Sequence, residues 1–385
     1  MTVSKNRPAT LLFFVFLLTV VIAGFFVGRS AQSAILESRS GSVSEVVLDP
    51  SEPGFRAFTD ATPTALVLHT SVTPSGAELV GATILVPADE GSGGNVISLP
   101  ATLNREDEEA TLADVFTGDG LDATVNYLAE LTAVGFSDVV VLDASSWTSL
   151  MQEDLPLRLT LSTDLVETVG DQATVLVRAG TADYQLLDVA RIASHRNASE
   201  PLLGVSLRQQ EIWRSWISRT AGADERPDLF ELETGFSAII GALASGEVSY
   251  RSLPTTTVSV DPPEETRYAA RTDAVRELFA QIVPFPEHVM PGDRPSVLLL
   301  DSTLGDLDQV RFVEAITLAG GRVTILGNTD GSQEPSNRVQ LHGDVGRDLA
   351  VALVDAVGAD SLEDVPLDDA TTAVTVIMAE PLGGS

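Results

Sequence analysis

Ala9–Gly28, ATLLFFVFLLTVVIAGFFVG, is an uncharged and almost wholly apolar run near the start of the chain. At 1.5 Å rise per residue, a helix over this run is about 30 Å long, the thickness of a bilayer's hydrocarbon core. Lys5, Arg7 and the α-amino group precede it, so positive-inside logic keeps residues 1–8 as a short cytoplasmic tail. Everything after Arg29 is then extracytoplasmic. Ala31-Gln-Ser-Ala34 offers the small residues of a cleavage site, but the apolar run exceeds the ~7–15 residues of a cleaved signal peptide. The expectation is an uncleaved signal anchor over 9–28. No second run of this length occurs, so the chain reads as a single-pass protein of the cell membrane.

What lies outside is long enough for more than one folded unit. Hydrophobic residues make up 44 % of the 385 residues but aromatics only 5 %, so the cores must be aliphatic. Cysteine is absent, which excludes disulfides, thiolate catalysis and Cys-based metal sites and leaves the redox compartment open. A formal charge of -32 repels nucleic acid and anionic lipid, so no nucleic-acid partner is expected. Lys5 is the only lysine; so uniform an arginine bias points to a GC-rich bacterial genome.

Residues 29–63 mix Ser, Gly, Glu and Pro and read as a stalk. Ala65–His69 and Val80–Val86 are then short apolar strands. Gly91-Ser-Gly-Gly94 turns the second of them into Asn95–Leu99, a hairpin. A phosphate cradle would need a helix after those glycines, and a strand follows. Helical spacing appears over Leu121–Val134, Ser145–Met151, Leu207–Arg219, Phe230–Ser245 and Ala270–Val283. Strands are expected at Asp138–Leu142, Leu157–Leu161 and Ala173–Val177, and a strand or loop over Pro254–Glu265. Trp213 and Trp216 share the apolar face of the 207–219 helix and read as core. Pro284, Pro286 and Pro291 bracket His288 in an expected interdomain linker. A second α/β unit follows: strands Ser296–Leu300, Arg322–Leu326, Arg338–Leu341 and Ala373–Met378, and helices Gly346–Val357 and Leu307–Ala319, the latter with Val310, Val313 and Ile316 inward.

Little in the residues marks chemistry. His69, His195, His288 and His342 stand at no metal-ligand spacing, and Ser71, Ser98 and Ser146 have no recognisable base. Glu106-Asp-Glu-Glu109 reads as a solvated charge run rather than a cation site. Asp301, Asn328 and Asp330 sit at strand ends, where turn chemistry accounts for them.

In order along the chain, TALVLHTS (64–71), GATILV (81–86), NVISLPATL (95–103), TLADVFTGDG with its following helix (111–134) and SLRQQEIWRSWISR (206–219) resemble the LytR-CpsA-Psr family of cell-wall ligases. Asp138–Leu142 and the helix after it also fit. VLLLDSTLGDLDQVRFVEAITLAGGRVTILGNTD, followed by TTAVTVIM, is similar to the small LytR C-terminal-type domain of actinobacterial members. Order and spacing carry the resemblance, which covers most of residues 64 to 380.

The resemblance implies a mixed-sheet α/β domain over 64–288 whose sheet and helices enclose a groove for a polyprenyl-pyrophosphate-linked glycan. It also implies a small α/β domain over 294–381. Family members transfer the glycopolymer phosphate to peptidoglycan, which calls for arginines on the pyrophosphate and acids around magnesium. This chain departs from the pattern. Ala101 and Thr102 stand where the family has Arg-Asp. Ser71 replaces an Asp after the first strand. Leu79-Val80-Gly81 replaces Arg-Ser-Asp, and Leu202 and Val205 replace an Asp and an Arg. Arg208-Gln209-Gln210 and Arg196 survive; Arg196, Arg208 and Gln209 are candidate substrate-binding residues, with structural ion pairing as their plain alternative.

No catalytic residue, metal site or cofactor is therefore expected. The preferred reading is a membrane-anchored pseudoenzyme, a binding or scaffold subunit for polyprenyl lipid or wall glycopolymer, beside another protein of this family. One alternative is an active glycopolymer transferase using Arg105, Asp107, Arg196 and Arg208, with magnesium. Another is an interaction module acting through the C-terminal unit.

Overall fold

The computed structural model describes residues 47, 49–73, 76–88, 91–105, 109–151, 156–169, 172–197, 200–221, 235–258, 266–289, 294–304, 307–365 and 372–382. Among them, no helix is long and apolar enough to cross a membrane, and the expected anchor over 9–28 lies outside them.

The strands are β1 (Arg56–Phe58), β2 (Ala65–Thr73), β3 (Gly76–Pro87), β4 (Gly94–Pro100), β5 (Leu103–Asn104), β6 (Asp138–Leu142), β7 (Leu157–Leu161), β8 (Leu165–Val169) and β9 (Gln172–Val177). They continue with β10 (Gly180–Tyr184), β11 (Val248–Ser252), β12 (Thr255–Val258), β13 (Arg267–Ala270), β14 (Ser296–Asp301), β15 (Arg322–Asn328), β16 (Arg338–Leu341), β17 (Leu362–Asp364) and β18 (Val374–Met378). The helices are α1 (Leu112–Thr132), α2 (Ala144–Leu150), α3 (Leu186–Ser194), α4 (Leu202–Ala221), α5 (Gly235–Ala244), α6 (Thr272–Ile282), α7 (Gln309–Leu318) and α8 (Arg347–Ala356). The fold is mixed α/β, as expected.

Its centre is a sheet of order β11-β4-β3-β2-β6. The β3–β4 hairpin forms at the predicted glycines. Gly93 has φ +80°, and a Cβ there would lie 2.1 Å from the Glu247 carbonyl, so no other residue fits. β2 pairs antiparallel with β3 and parallel with β6, and β4 parallel with β11. The central strands β2, β3 and β4 carry long runs buried on both faces because both are covered, whereas the edge strands β6 and β11 are partly exposed. Ala65, Val67, Leu85 and Val96 join one core with Trp147, Trp213 and Trp216; Leu66, Leu68, Ile84 and Ile97 join another with Leu128, Leu131 and Phe279. Thr111 and Asp114 form a reciprocal capping box that starts α1 at Leu112; Gly120, non-helical at φ +86°, kinks it, and its second stretch begins at the predicted Leu121.

The second sheet, order β1-β15-β14-β18-β16-β17, packs α7 and α8 over Val297, Leu299, Val323, Val374 and Val376. Four expectations change here. Residues 56–59, read as part of a stalk, pair with the edge of this sheet. Arg56 lies opposite Gly327, and Thr59 donates its N–H to the Thr324 carbonyl at 3.0 Å. Pairing covers the otherwise open β15 edge, and Gly327 permits it: a Cβ there would meet the Phe55 carbonyl at 2.2 Å. Asn328 does more than turn the chain, donating to the Pro50 and Glu52 carbonyls. The 284–288 segment is packed rather than a spacer: Phe285 packs, partly buried, against the core of this second sheet and Glu287 bridges to Gly135. Val310 is 70 % exposed, with Phe312, Val313, Ile316 and Thr317 buried instead. At about 100° per residue Val310 lies roughly 90° from the centre of that stripe. Asp301 makes the predicted turn, accepting from Thr303 N–H and Oγ1 at 2.7 Å.

Candidate functional site

Register sets the positions around Pro100. Gly81 on β3 lies opposite His69 on β2 and Pro100 on β4. Thr83, Ser98 and His69 project to the face that α4 covers, because side chains alternate along a strand. A Cβ on Gly81 would meet Gln209 Oε1 at 2.3 Å and Ser206 Oγ at 3.3 Å. Gln209 of α4 therefore fills the space in which the resemblance placed a carboxylate. It is fully buried and donates from Nε2 to the Ala193 carbonyl at 2.9 Å. Ser206 donates to the Leu99 carbonyl at 3.2 Å.

His69 lies against this cluster, 1 % exposed and stacked on Trp147 with ring centroids 5.5 Å apart. Its Nε2 meets Thr83 Oγ1 at 2.9 Å. Burial pushes its pKa down to about 3, so the ring is neutral. Among the described residues, His69 Nδ1, Ser98 Oγ, Gln209 Oε1 and Trp213 Nε1 are buried without a hydrogen-bond partner. This is a neutral, buried polar cluster, filled by Gln209, that holds no cation to balance a diphosphate. The His69–tryptophan stack escaped the sequence reading, although alternation from Ala65 through Val67 puts His69 on the tryptophan face.

The ring's protonation gives a pH prediction. Its folded pKa lies below the unfolded value near 6.5, so the unfolded chain binds the extra proton and stability falls as pH drops below about 6.5. The slope approaches about 1.4 kcal/mol per pH unit. Urea midpoints between pH 6.5 and 5, above most carboxylate titrations, should decline in the native chain and flatten in His69→Gln. Equal slopes would refute a buried neutral His69.

The other substituted positions are structural. Ala101, Leu202 and Val205 are buried in the core beneath α1. The Ala101 carbonyl accepts from Ala113 N–H at 2.9 Å, and Thr102 accepts from Tyr268 N–H at 3.1 Å. Ser71 is half-buried on β2 opposite Glu78.

The surviving cations are occupied. Arg208 is 9 % exposed, ion-paired with Glu200, and donates to the Ile192 and His195 carbonyls. Burial lowers its pKa to about 10, still charged at neutral pH. Arg196 donates to the Glu200 carbonyl at 2.9 Å. Arg208 and Gln209 thus tie the end of α3 and the loop after it to α4, and Arg196 braces that loop within itself. Gln210 donates to the Arg251 carbonyl. Arg105 stacks 4.4 Å over Tyr127 and pairs with Glu130 at 2.8 Å, on α1. Asp107 lies outside the described residues. Among the described residues, no group of three or more His, Asp or Glu could hold a metal ion. The donor set around Gly81 is neutral and does not fit magnesium.

No protein-family model matches the sequence, and no curated protein does. Among solved structures, the chain is similar to TagV of B. subtilis at 11 % identity, TM-score 0.43, over 59 % of this chain and 99 % of that one. It is similar to a putative transcription regulator from Eubacterium siraeum at 12 % identity, TM-score 0.44, over 63 % and 99 %. The LytR-CPS2A-psr family protein YwtF (TagT) with bound octaprenyl pyrophosphate lipid is similar at 14 % identity, TM-score 0.42, over 63 % and 92 %.

Proposed function

We propose that the chain is a membrane-anchored, extracytoplasmic protein of LytR-CpsA-Psr type that has lost transferase chemistry. It acts as a binding or scaffold subunit in wall glycopolymer assembly. In this reading residues 9–28 anchor it, 64–288 form the family-type domain and 294–381 a LytR C-terminal-type domain. The ordered motifs support the family assignment. The observation that carries the loss of chemistry is Gln209 standing where Gly81 lacks a side chain. A diphosphate needs several charge-assisted donors, and Arg208, the surviving cation of the motif, is bound to Glu200.

The active alternative would use Arg105, Asp107, Arg196 and Arg208 with magnesium. Arg105 and Arg208 already have carboxylate partners, which weighs against it. The test uses the full chain in detergent micelles with octaprenyl pyrophosphate, the lipid bound by YwtF, and magnesium. Phosphate release should not exceed the protein-free rate. Release that Arg208→Lys or Arg105→Ala abolishes, in variants that melt at the native temperature, would establish the active reading instead.

A further inference from the structure

A cleft of about 460 Å³ opens away from Pro100, where the C-terminal ends of α1 and α7 meet α6. Its volume lies in the ~300–1,000 Å³ range of small-molecule sites, and junctions between packed units are where such sites occur. The two helix ends create it. α1 stops at Ala133, in the left-handed region at φ 56°, and α7 stops before Gly320 at φ +93°. Both therefore turn carbonyl oxygens, the negative ends of their dipoles, toward one space.

Arg294 ties the two helix ends together. Its Nη1 donates to the Thr317 and Gly321 carbonyls at 3.1 and 3.0 Å, and its Nη2 to Ala133 at 2.6 Å. Glu130 on the rim is paired with Arg105. Arg276 on α6 is different: it is exposed on the cleft wall and has no hydrogen bond or ion pair among the described residues. In a chain of charge -32, an unpaired guanidinium in a concave site stands out. Val134, Ala280 and the 46 % exposed Leu318 supply apolar wall.

These features select a ligand chemistry. The Arg276 guanidinium takes a phosphate or carboxylate, the second lone pairs of the helix-end carbonyls that already accept from Arg294 take hydroxyl or amide donors, and the apolar wall takes the C–H face of a ring. We propose that this cleft binds an anionic sugar of monosaccharide size. A bare anion would meet the guanidinium but use neither the hydroxyl acceptors nor the apolar wall, so charge alone is insufficient.

Calorimetry of the full chain in detergent micelles tests this with N-acetylglucosamine 1-phosphate and with glucuronate, which separate phosphate from carboxylate as the charged group. N-acetylglucosamine and inorganic phosphate are the controls. One or both anionic sugars should bind roughly tenfold or more above both controls. Arg276→Ala should weaken that binding roughly tenfold by removing the charged contact. Leu318→Trp should weaken it by filling the space with the charge intact. Both positions are exposed, so melting temperatures should hold. No binding by either sugar, affinity for inorganic phosphate equal to theirs, or binding unchanged in both variants would overturn the assignment.

Discussion

Gly81→Asp is expected to destabilise the protein by about 4 kcal/mol or more, and not to create a metal site. The substitution restores the acid that the family pattern carries there. Its Cβ, however, would stand 2.3 Å from Gln209 Oε1, and Gln209 is fully buried and held by the Ala193 carbonyl. The new carboxylate would be forced among buried polar groups, Ser206, Ser98 and a neutral His69, that offer no positive charge. Gly81→Ala isolates the steric part, worth about 1–3 kcal/mol. Gly81→Ala with Gln209→Ala should cost less than the sum of the single changes, because the second removes the atom the first collides with. Urea denaturation followed by the fluorescence of the buried tryptophans measures all four. A Gly81→Asp protein of native stability whose melting temperature rises with magnesium would mean that the pocket is open and the pseudoenzyme reading wrong.

Arg208→Met is expected to cost about 3–5 kcal/mol, because it leaves the Glu200 carboxylate buried without its partner. Glu200 keeps only 11 % of its side-chain surface exposed. The Ile192 and His195 carbonyls at the end of α3 lose a donor as well. Adding Glu200→Gln should recover a substantial part, since the uncompensated charge is the larger share of the loss. A substrate-binding arginine would behave otherwise: its removal would leave the denaturation midpoint near native and change only ligand affinity. Lost function in an Arg208→Met protein is therefore to be read against its folded fraction.

These expectations rest on contacts of different sequence range, and legibility followed that range. The β3–β4 hairpin was readable because glycines turn the chain and the apolar runs beside them are adjacent in sequence. β6, β7 and β16 were found with their ends in place, each a short apolar or alternating run between breakers. The face of α4 carrying Ile212, Trp213, Trp216 and Ile217 was readable from helical spacing, and all four are buried. α3, β10 and β11 were missed: the strands are largely exposed and weakly patterned, and the helix is short. At the candidate site, the substituted positions were legible because the change of residue type is visible without a fold. Their fate was not legible. Ala101, Leu202 and Val205 became core, and Arg208 became an ion pair within its own wall.

The sequence by itself determined the strongly patterned local elements, the neutral character of the site and the absence of cysteine chemistry, since each depends on residue type and short-range periodicity. Only the tertiary structure decided that Gln209 occupies the space beside Gly81, that β1 closes the edge of a sheet built from the other end of the chain, and that α1 and α7 end at one cleft around Arg294. Periodicity states which face of an element is apolar. It does not state which distant face will meet it, because that choice is made by packing between segments whose separation along the chain carries no local signal.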